Sequence, residues 1–177
     1  MEHVQLHSDK AGTLTTKLMR FYTPEMFRLM RDVIEHRTGR ISLRLLDWLV
    51  TSYAKRRNSS FVVAGSRVII FTEYKAMLKS YSKCNFDPFC RRLRIFVDME
   101  TRLVVHGPAG GGVIETTNGQ LNFFKWAVSR GVLIFASTHL SHIEEDLAAH
   151  ANRPRNAIVL PKHGYTRISD TTTVTFD

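Results

Sequence analysis

The sequence predicts an α+β fold, a single domain whose helices pack on a small, mostly antiparallel sheet. Apolar residues recur at helical spacing in several segments, and short β-branched and aromatic runs lie between them. These helices and strands are interspersed without the regular alternation that builds a parallel sheet. At 177 residues, 44% of them hydrophobic, the chain suits one domain with a substantial core. We expect this domain over residues 23–150, with a tail over residues 151–177.

The N-terminal part is predicted to be a flexible arm followed by a helix. Residues 1–22 are polar and show no periodicity, which is typical of a segment without structure of its own. Thr23-Pro24 then places a cap residue before a proline at the first helical position, and Gly39 indicates the end of this helix. Its inward face is expected to comprise Met26, Met30, Val33 and Ile34.

A second helix is predicted from Ser42, a favourable N-cap residue, to the basic run Lys55-Arg56-Arg57. Cations also suit the negative end of a helix, so this run has a structural explanation beside a binding one. The inward residues of the helix are expected to be Leu45, Leu46, Leu49 and Tyr53.

Residues 60–106 are predicted to form two pairs of strands separated by a helix. Ala64-Gly65-Ser66 indicates the turn of the first pair. The helix, over residues 73–83, carries lysines, and Asp87-Pro88 marks the turn that follows it. β-branched and aromatic residues are enriched in the predicted strands, which span residues 60–63, 67–71, 93–98 and 102–106.

A glycine-rich loop over residues 107–112 precedes a short predicted strand, residues 113–115. A phosphate-binding P-loop needs Lys and then Ser or Thr directly after its last glycine, but Val113 and Ile114 occupy these positions. The loop is therefore predicted to connect two strands and not to bind a nucleotide.

Two capping-box patterns predict the C-terminal helices. Thr117 with Gln120 indicates a helix that ends at Gly131, and Ser141 with Glu144 indicates a short helix up to about residue 149. The inward face of the first of these helices is expected to comprise Leu121, Phe124, Ala127 and Val128.

The positive charge of the chain is concentrated in its N-terminal half. The whole chain carries 25 Lys and Arg against 16 Asp and Glu, a net charge of +9. Residues 10–94 hold 18 Lys and Arg against 6 Asp and Glu, whereas residues 95–177 hold 7 against 8. This asymmetry favours an anionic partner that docks on one side, either nucleic acid or an acidic protein. A solvated basic surface that keeps the protein soluble is the alternative explanation.

The segment over residues 74–94 is the main candidate for the contact surface. Lys75, Lys79 and Lys83 recur four residues apart, so on a helix they stack on one face. Three arginines follow the turn at Asp87-Pro88. The candidates for binding nucleic acid or an acidic partner are Lys55, Arg56, Arg57, Lys75, Lys79, Lys83, Arg91, Arg92 and Arg94.

Two aromatic residues are candidates for a partner-docking patch. Phe123 and Trp126 lie on the less apolar side of the helix that begins after Thr117, so we expect them to be exposed. Aromatic residues near cations also suit base stacking, although a core role is the commoner explanation at this spacing.

No catalytic residue, metal or cofactor is predicted. Cys84 and Cys90 flank a turn, and His139 and His142 lie three positions apart. A zinc site built from all four stays open as an alternative, but structural roles are favoured. The chain also lacks the nucleophile elbow of Ser-His-Asp hydrolases.

The chain is expected to be a soluble intracellular protein without a membrane-spanning segment. Its N-terminus lacks the apolar core of a signal peptide, and its longest apolar runs, such as residues 132–136, fall far short of a membrane span. Two cysteines are too few for the disulfide framework of a small secreted protein.

Four blocks of sequence are distinctive in combination: ISLRLLDWLVT (41–51), YKAMLKSYSK (74–83), FDPFCRR (86–92) and TTNGQLNFFKWA (116–127). In this order they resemble a protein family of nucleocytoplasmic large DNA viruses, the group that includes iridoviruses, phycodnaviruses and relatives of mimivirus. The resemblance covers about residues 41–147. It implies a viral protein in virions or in an infected eukaryotic cell, and it supplies no catalytic residues that could be carried over to this chain.

Together these features predict a non-enzymatic viral protein that acts by binding. The preferred function is a structural or assembly component of the virion, such as a minor capsid or core protein, with a basic contact face. The alternative is a nucleic-acid-binding protein whose Lys and Arg side chains neutralise phosphates. The expected partners are other virion proteins, nucleic acid or both, and the expected locations are the virion and the cytoplasm of the infected host cell.

Overall fold

Helices form most of the protein, and two small antiparallel sheets lie among them. The computed structural model describes residues 2–35, 41–108 and 110–151. The helices are α1 (Glu2–Phe21), α2 (Pro24–Glu35), α3 (Leu43–Trp48), α4 (Ala54–Arg57), α5 (Ile70–Tyr81), α6 (Asn118–Ser129), α7 (Val132–Thr138) and α8 (Leu140–Ala151). The strands are β1 (Ser60–Val63), β2 (Ser66–Ile69), β3 (Arg94–Asp98), β4 (Val104–Val105) and β5 (Val113–Thr117). The predicted α+β class is confirmed.

Residues 2–21, which we expected to form a flexible arm, form helix α1 instead. Leu18 and Tyr22 at its C-terminal end are buried, and Leu14 packs against the same core. The Tyr22 hydroxyl donates a hydrogen bond of 2.6 Å to the backbone oxygen of Leu121 in α6. The arm prediction missed this helix because apolar residues are sparse in the segment, and those described as packing on the core, such as Leu14 and Leu18, lie in its C-terminal half.

Two predicted helix starts are confirmed by their caps. Thr23 Oγ1 accepts a hydrogen bond of 3.3 Å from the backbone N–H of Met26, and Ser42 Oγ accepts one of 3.1 Å from that of Leu45. Gly39, the predicted end of α2, lies outside the described residues. The buried residues of α2 are Phe27, Met30 and Val33, whereas Met26 and Ile34 are only partly buried.

The second predicted helix runs from Leu43 to Arg57 but contains a π-helical turn over Leu49–Tyr53. The backbone N–H of Ala54 donates to the oxygen of Leu49, five residues back, so this turn holds one residue more than an α-helical turn. The predicted inward residues Leu45, Leu46, Leu49 and Tyr53 are all buried.

The predicted hairpin is confirmed as the antiparallel pair β1–β2, with Ala64 and Gly65 at positive φ in its turn. Its second strand ends at Ile69 and not at residue 71, because Ile70 already begins α5. Ile70, the first residue of this helix, is fully buried in the core.

The second sheet has the antiparallel order β4-β3-β5, so β3 is central. Phe96 of β3 lies opposite Val105 on one side and Glu115 on the other. The glycine-rich loop therefore connects two strands, as predicted, and it crosses from one edge of the sheet to the other.

Helix α6 follows β5 directly and lies in the core against α1 and α7. Thr117 Oγ1 accepts a hydrogen bond of 3.1 Å from the backbone N–H of Gln120, which confirms the predicted cap. The Gln120 side chain accepts a hydrogen bond of 3.0 Å from Thr116 Oγ1. Gly131, with a φ of 72°, follows the end of the helix as predicted.

The second predicted capping box is wrong. Helix α8 begins at Leu140, so Ser141 lies inside its first turn. The backbone N–H of Ile143 donates to the oxygen of His139, and both Leu140 and Ile143 are buried, which places the helix start before the serine. The predicted tail lies outside the described residues from residue 152 onward. Over the described ranges, no helix combines the length and apolarity that crossing a bilayer requires.

Candidate partner-binding site

Three of the predicted binding cations line one groove of about 710 Å³, which we call the lysine groove. Lys55 comes from α4, Lys75 from α5, and Lys83 from the turn after α5. The lysine groove also has apolar and aromatic walls, contributed by Phe71, Tyr74, Leu78 and Phe89. Elements far apart in sequence thus bring ammonium groups and apolar surface together.

Two carboxylates, Asp47 and Asp87, also line the lysine groove. Burial raises the pKa of Asp47, and the negative charge of Asp87 raises it further. Lys83 Nζ lies 3.6 Å from Asp87 Oδ2. Among the described residues, the Asp47 side chain has no hydrogen-bond or ion-pair partner. A partly buried, unpaired carboxylate in a concave surface is typical of functional sites.

Other predicted cations already have partners within the protein. Arg56 forms an ion pair with Asp146, and Arg94 forms one with Glu115 of the neighbouring strand β5. The guanidinium of Arg57 lies over an aromatic ring, 6.0 Å from its centroid. These three arginines therefore contribute to internal contacts of the fold.

The remaining predicted cations are exposed. Within residues 2–35, 41–108 and 110–151, no carboxylate pairs with Lys79, Arg91 or Arg92. Helix α5 ends at Tyr81, so only two of the three lysines expected on one helical face lie on the helix. Arg91 lines a separate cavity of about 230 Å³ beside the Arg94 ion pair. Five of the nine predicted cations thus line two separate concavities: Lys55, Lys75 and Lys83 line the lysine groove, and Arg91 and Arg94 line the other cavity.

Phe123 and Trp126, expected on an exposed face, are both buried. Phe123 is 0% exposed and Trp126 is 4% exposed. Their rings form an aromatic cluster with Tyr74 and Phe86, in which the centroids lie about 6 Å apart. The prediction of an exposed patch is therefore wrong, because Tyr74 of α5 and the turn after α5 cover this side of α6.

The two cysteines lie side by side, whereas the two histidines lie elsewhere. Cys84 Sγ and Cys90 Sγ are 3.6 Å apart. His139 stacks on Phe135, with ring centroids 4.1 Å apart. In the described part of the chain, no three His, Cys, Asp or Glu side chains are grouped to hold a metal ion.

A second groove of about 410 Å³ lies between α5 and α6, and Trp126 and Met77 contribute to its walls. At its edge the Arg130 guanidinium donates two hydrogen bonds to the Glu73 carboxylate, at 2.7 and 2.9 Å. These hydrogen bonds hold the pKa of Glu73 below its ordinary value. The pair joins the two helices at a half-buried position.

Replacing Glu73 with Gln is expected to lower the free energy of unfolding by about 1 kcal/mol at pH 7. The pKa of Glu73 is lower in the folded than in the unfolded chain, so the pair stabilises fully above the ordinary glutamate pKa. Its contribution is lost as the pH falls below about 5. Urea unfolding should show that wild type and Glu73→Gln differ less in free energy of unfolding at low pH than at pH 7.

The matched control is Glu100→Gln, which removes the partner of Arg28 in a more exposed ion pair. We expect a smaller change at pH 7 for this variant, because solvent screens exposed pairs. A Glu73→Gln difference that is constant with pH would show that the Arg130 pair contributes nothing through its charge.

Comparison with known proteins identifies the family of the chain. The model of DUF7197, a family of unknown function, matches residues 2–158. The chain belongs to this family. The match includes the segment of helix α1, which the four distinctive sequence blocks did not cover.

A relative of this DUF7197 chain is "Uncharacterized protein L507" of Acanthamoeba polyphaga mimivirus, which is 36% identical over 114 residues. The alignment covers 60% of the chain and 41% of the relative, so the chain spans less than half the length of that protein. This relative supports a viral origin and agrees with the giant-virus part of the resemblance. A distribution across the nucleocytoplasmic large DNA viruses stays a prediction. No solved structure matches the chain.

Sequence reasoning missed two features of this DUF7197 chain. Asp47 lies in the lysine groove. Nothing in the sequence indicated this position, since a single polar residue in an amphipathic helix ordinarily faces solvent. The proximity of Cys84 and Cys90 depends on the path of the turn at Asp87-Pro88. A spacing of six across a turn was the available signal, and it does not by itself indicate contact.

Proposed function

We propose that this viral protein acts by binding, as a structural or assembly component of the virion whose lysine groove takes an acidic, partly apolar segment of another virion protein. The observation that carries the proposal is the convergence of Lys55, Lys75 and Lys83 on one apolar-walled groove. Lys55 and Lys75 have no carboxylate partner among the described residues, and the Lys55 ammonium lies over the Phe71 ring, 5.5 Å from its centroid. They are therefore available to carboxylates of a partner.

The mixed charge of the lysine groove favours a protein partner over nucleic acid. A phosphate backbone entering it would meet the carboxylates of Asp47 and Asp87, and like charges disfavour the approach. A protein segment carries donors as well as carboxylates, so it can satisfy both the lysines and the aspartates. The exposed ring of Phe89, at 43% exposure, adds apolar area that a protein partner can bury.

The proposed role is non-enzymatic. The sequence offers neither a P-loop nor a nucleophile elbow, and the proposal uses the groove side chains only for attraction and apolar contact. We place the protein in the virion and in the cytoplasm of the infected host cell as part of the same proposal.

Zero-length carbodiimide cross-linking of purified particles tests the proposal, because this reagent joins an amine to a carboxylate that it already contacts. We expect Lys55 or Lys75 to be joined to Asp or Glu of another particle protein. Lys75→Glu should lower the cross-link yield at Lys55 about tenfold, since reversing one charge near a carboxylate costs on the order of 1.4 kcal/mol.

The matched control is Lys17→Glu, which makes the same charge change at an exposed position on α1 outside the lysine groove. We expect the cross-link yield of this variant to equal that of wild type. Absence of the protein from purified particles would overturn the structural role.

A nucleic-acid-binding function is the second candidate. It is favoured by Lys79, Arg91 and Arg92, which are exposed and without carboxylate partners in the described ranges. Titration of duplex DNA at several salt concentrations separates the two functions. Tight binding whose log–log salt slope falls by about two in the double variant K79A/R92A would favour phosphate contacts over a protein partner.

A further inference from the structure

The loop between α5 and β3 holds the two cysteines of the chain in contact. Cys84 Sγ and Cys90 Sγ lie 3.6 Å apart, at hydrogen-bonding distance for thiols, and both side chains are half-buried. Hydrogen bonding to Cys90 raises the pKa of Cys84. A disulfide bond, about 2.05 Å long, requires the two sulfurs to move closer and an oxidant to take two electrons from the thiols.

Helix α6 fixes the path of this loop. Asn122 Nδ2 donates a hydrogen bond of 3.0 Å to the backbone oxygen of Asn85, and Phe86 is fully buried. Gly119 allows the loop to approach closely, since an added Cβ would lie 2.7 Å from the oxygen of Asp87. The proximity of the two thiols is therefore imposed by packing at the loop's centre and is not an accident of two mobile side chains.

We propose that Cys84 and Cys90 form a dithiol site that is converted to an intrachain disulfide by exchange with small disulfides such as glutathione disulfide. A thiolate of one cysteine first attacks a sulfur of glutathione disulfide, whose S–S bond breaks and releases one glutathione thiolate. The second cysteine then attacks the protein–glutathione bond and releases the other glutathione. Two protein thiols are oxidised, one glutathione disulfide is reduced to two thiols, and the two cysteine protons pass through solvent to the released thiolates.

The second step is favoured by the geometry. Once one cysteine carries glutathione, the other thiol is already in contact with the sulfur that it attacks. An intramolecular partner acts at an effective concentration in the millimolar range or above, far higher than that of another protein molecule at micromolar concentration. The mixed disulfide is therefore expected to be short-lived in the wild-type chain.

The disulfide would act on the lysine groove, a consequence that rests on the proposed function. The loop between the cysteines carries Asp87 and Phe89, both of which line that groove. Closing the loop would fix these side chains in one arrangement and couple partner binding to the oxidation of the protein. The chemistry of the two thiols stands without this consequence.

Intact-mass measurement of the full chain tests the dithiol site. Reduced protein is mixed with glutathione disulfide, quenched at intervals by acid, and its free thiols are alkylated. We expect wild type to lose both alkylatable thiols and to appear at the mass of the reduced chain less two hydrogens. Peptide mapping should place the bond between Cys84 and Cys90.

The matched controls are Cys84→Ser and Cys90→Ser, each of which keeps one thiol. Their glutathione adducts should persist more than about tenfold longer than the wild-type adduct, because the internal resolving thiol is absent. Circular dichroism checks that both variants fold. If one variant does not fold, the other is compared with reduced wild type. Accumulation of glutathione adducts or of cross-linked dimers by wild type, without the species lacking two hydrogens, would overturn the inference. This readout does not depend on a virion partner, so it can fail or succeed separately from the proposed function.

Discussion

Replacing Phe123 with Ala is expected to lower the free energy of unfolding by about 3–5 kcal/mol, the typical cost of removing a buried phenyl ring. The side chain is 0% exposed. It contacts several aromatic rings edge-on or tilted, with centroids 5.8–6.2 Å away, and their surfaces would be left facing a cavity. Urea unfolding followed by circular dichroism measures the change.

The matched control is Phe89→Ala, which removes the same ring from a position that is 43% exposed. We expect it to cost about 1 kcal/mol or less, because little apolar surface is withdrawn from water there. Equal unfolding midpoints for Phe123→Ala and wild type would show that Phe123 is a surface residue, as its sequence position first suggested.

Replacing Gly119 with Ala is expected to destabilise the protein by about 1–3 kcal/mol or more, through overpacking. An added Cβ would lie 2.7 Å from the backbone oxygen of Asp87 and 3.1 Å from that of Cys84. Both atoms belong to the backbone of a loop that is held against α6, so neither can rotate away as a side chain would. The loop or the helix must shift, and unfolding midpoints measure the cost.

Gly12→Ala provides a control with the opposite expected sign. Gly12 also lies within a helix, and an added Cβ would meet nothing within 4 Å. Alanine is favoured over glycine in a helix by about 1 kcal/mol, so this variant should be more stable than wild type. Stabilisation of the protein by Gly119→Ala as well would contradict the close contact between α6 and the loop.

Local signals in the sequence predicted much of the fold. The caps at Ser42 and Thr117 act within three residues, and the hairpin depends on a short turn, so each was visible without knowledge of the rest of the chain. The predictions failed where elements distant in sequence determine which residues are buried. Helix α6 is covered by α1, α7 and the turn after α5, so its burial on several sides could not be read from one helical period.

The sequence predicted which charged residues belong to the candidate site, but it did not predict which of them form ion pairs within the protein. The spacing of Lys75 and Lys79 placed them correctly on one helix. By contrast, the partner of Arg56 is Asp146, 90 residues away in the sequence, and that of Arg94 lies on a strand brought alongside by sheet register. Which cations stay available to a partner is a property of tertiary structure, and a count of lysines and arginines cannot supply it.

The π-helical turn over Leu49–Tyr53 changes the directions in which the side chains before and after it point. In a regular α-helix, residues four apart are rotated by about 40° around the axis, so Asp47, Thr51 and Lys55 would follow a spiral. A turn with an extra residue has a smaller rotation per residue, so it brings Asp47, Thr51 and Lys55 back toward one line along the helix. All three residues line the lysine groove. Asp47 and Lys55, eight positions apart, thereby line the same wall of the groove. An uninterrupted α-helix would have turned them to different sides.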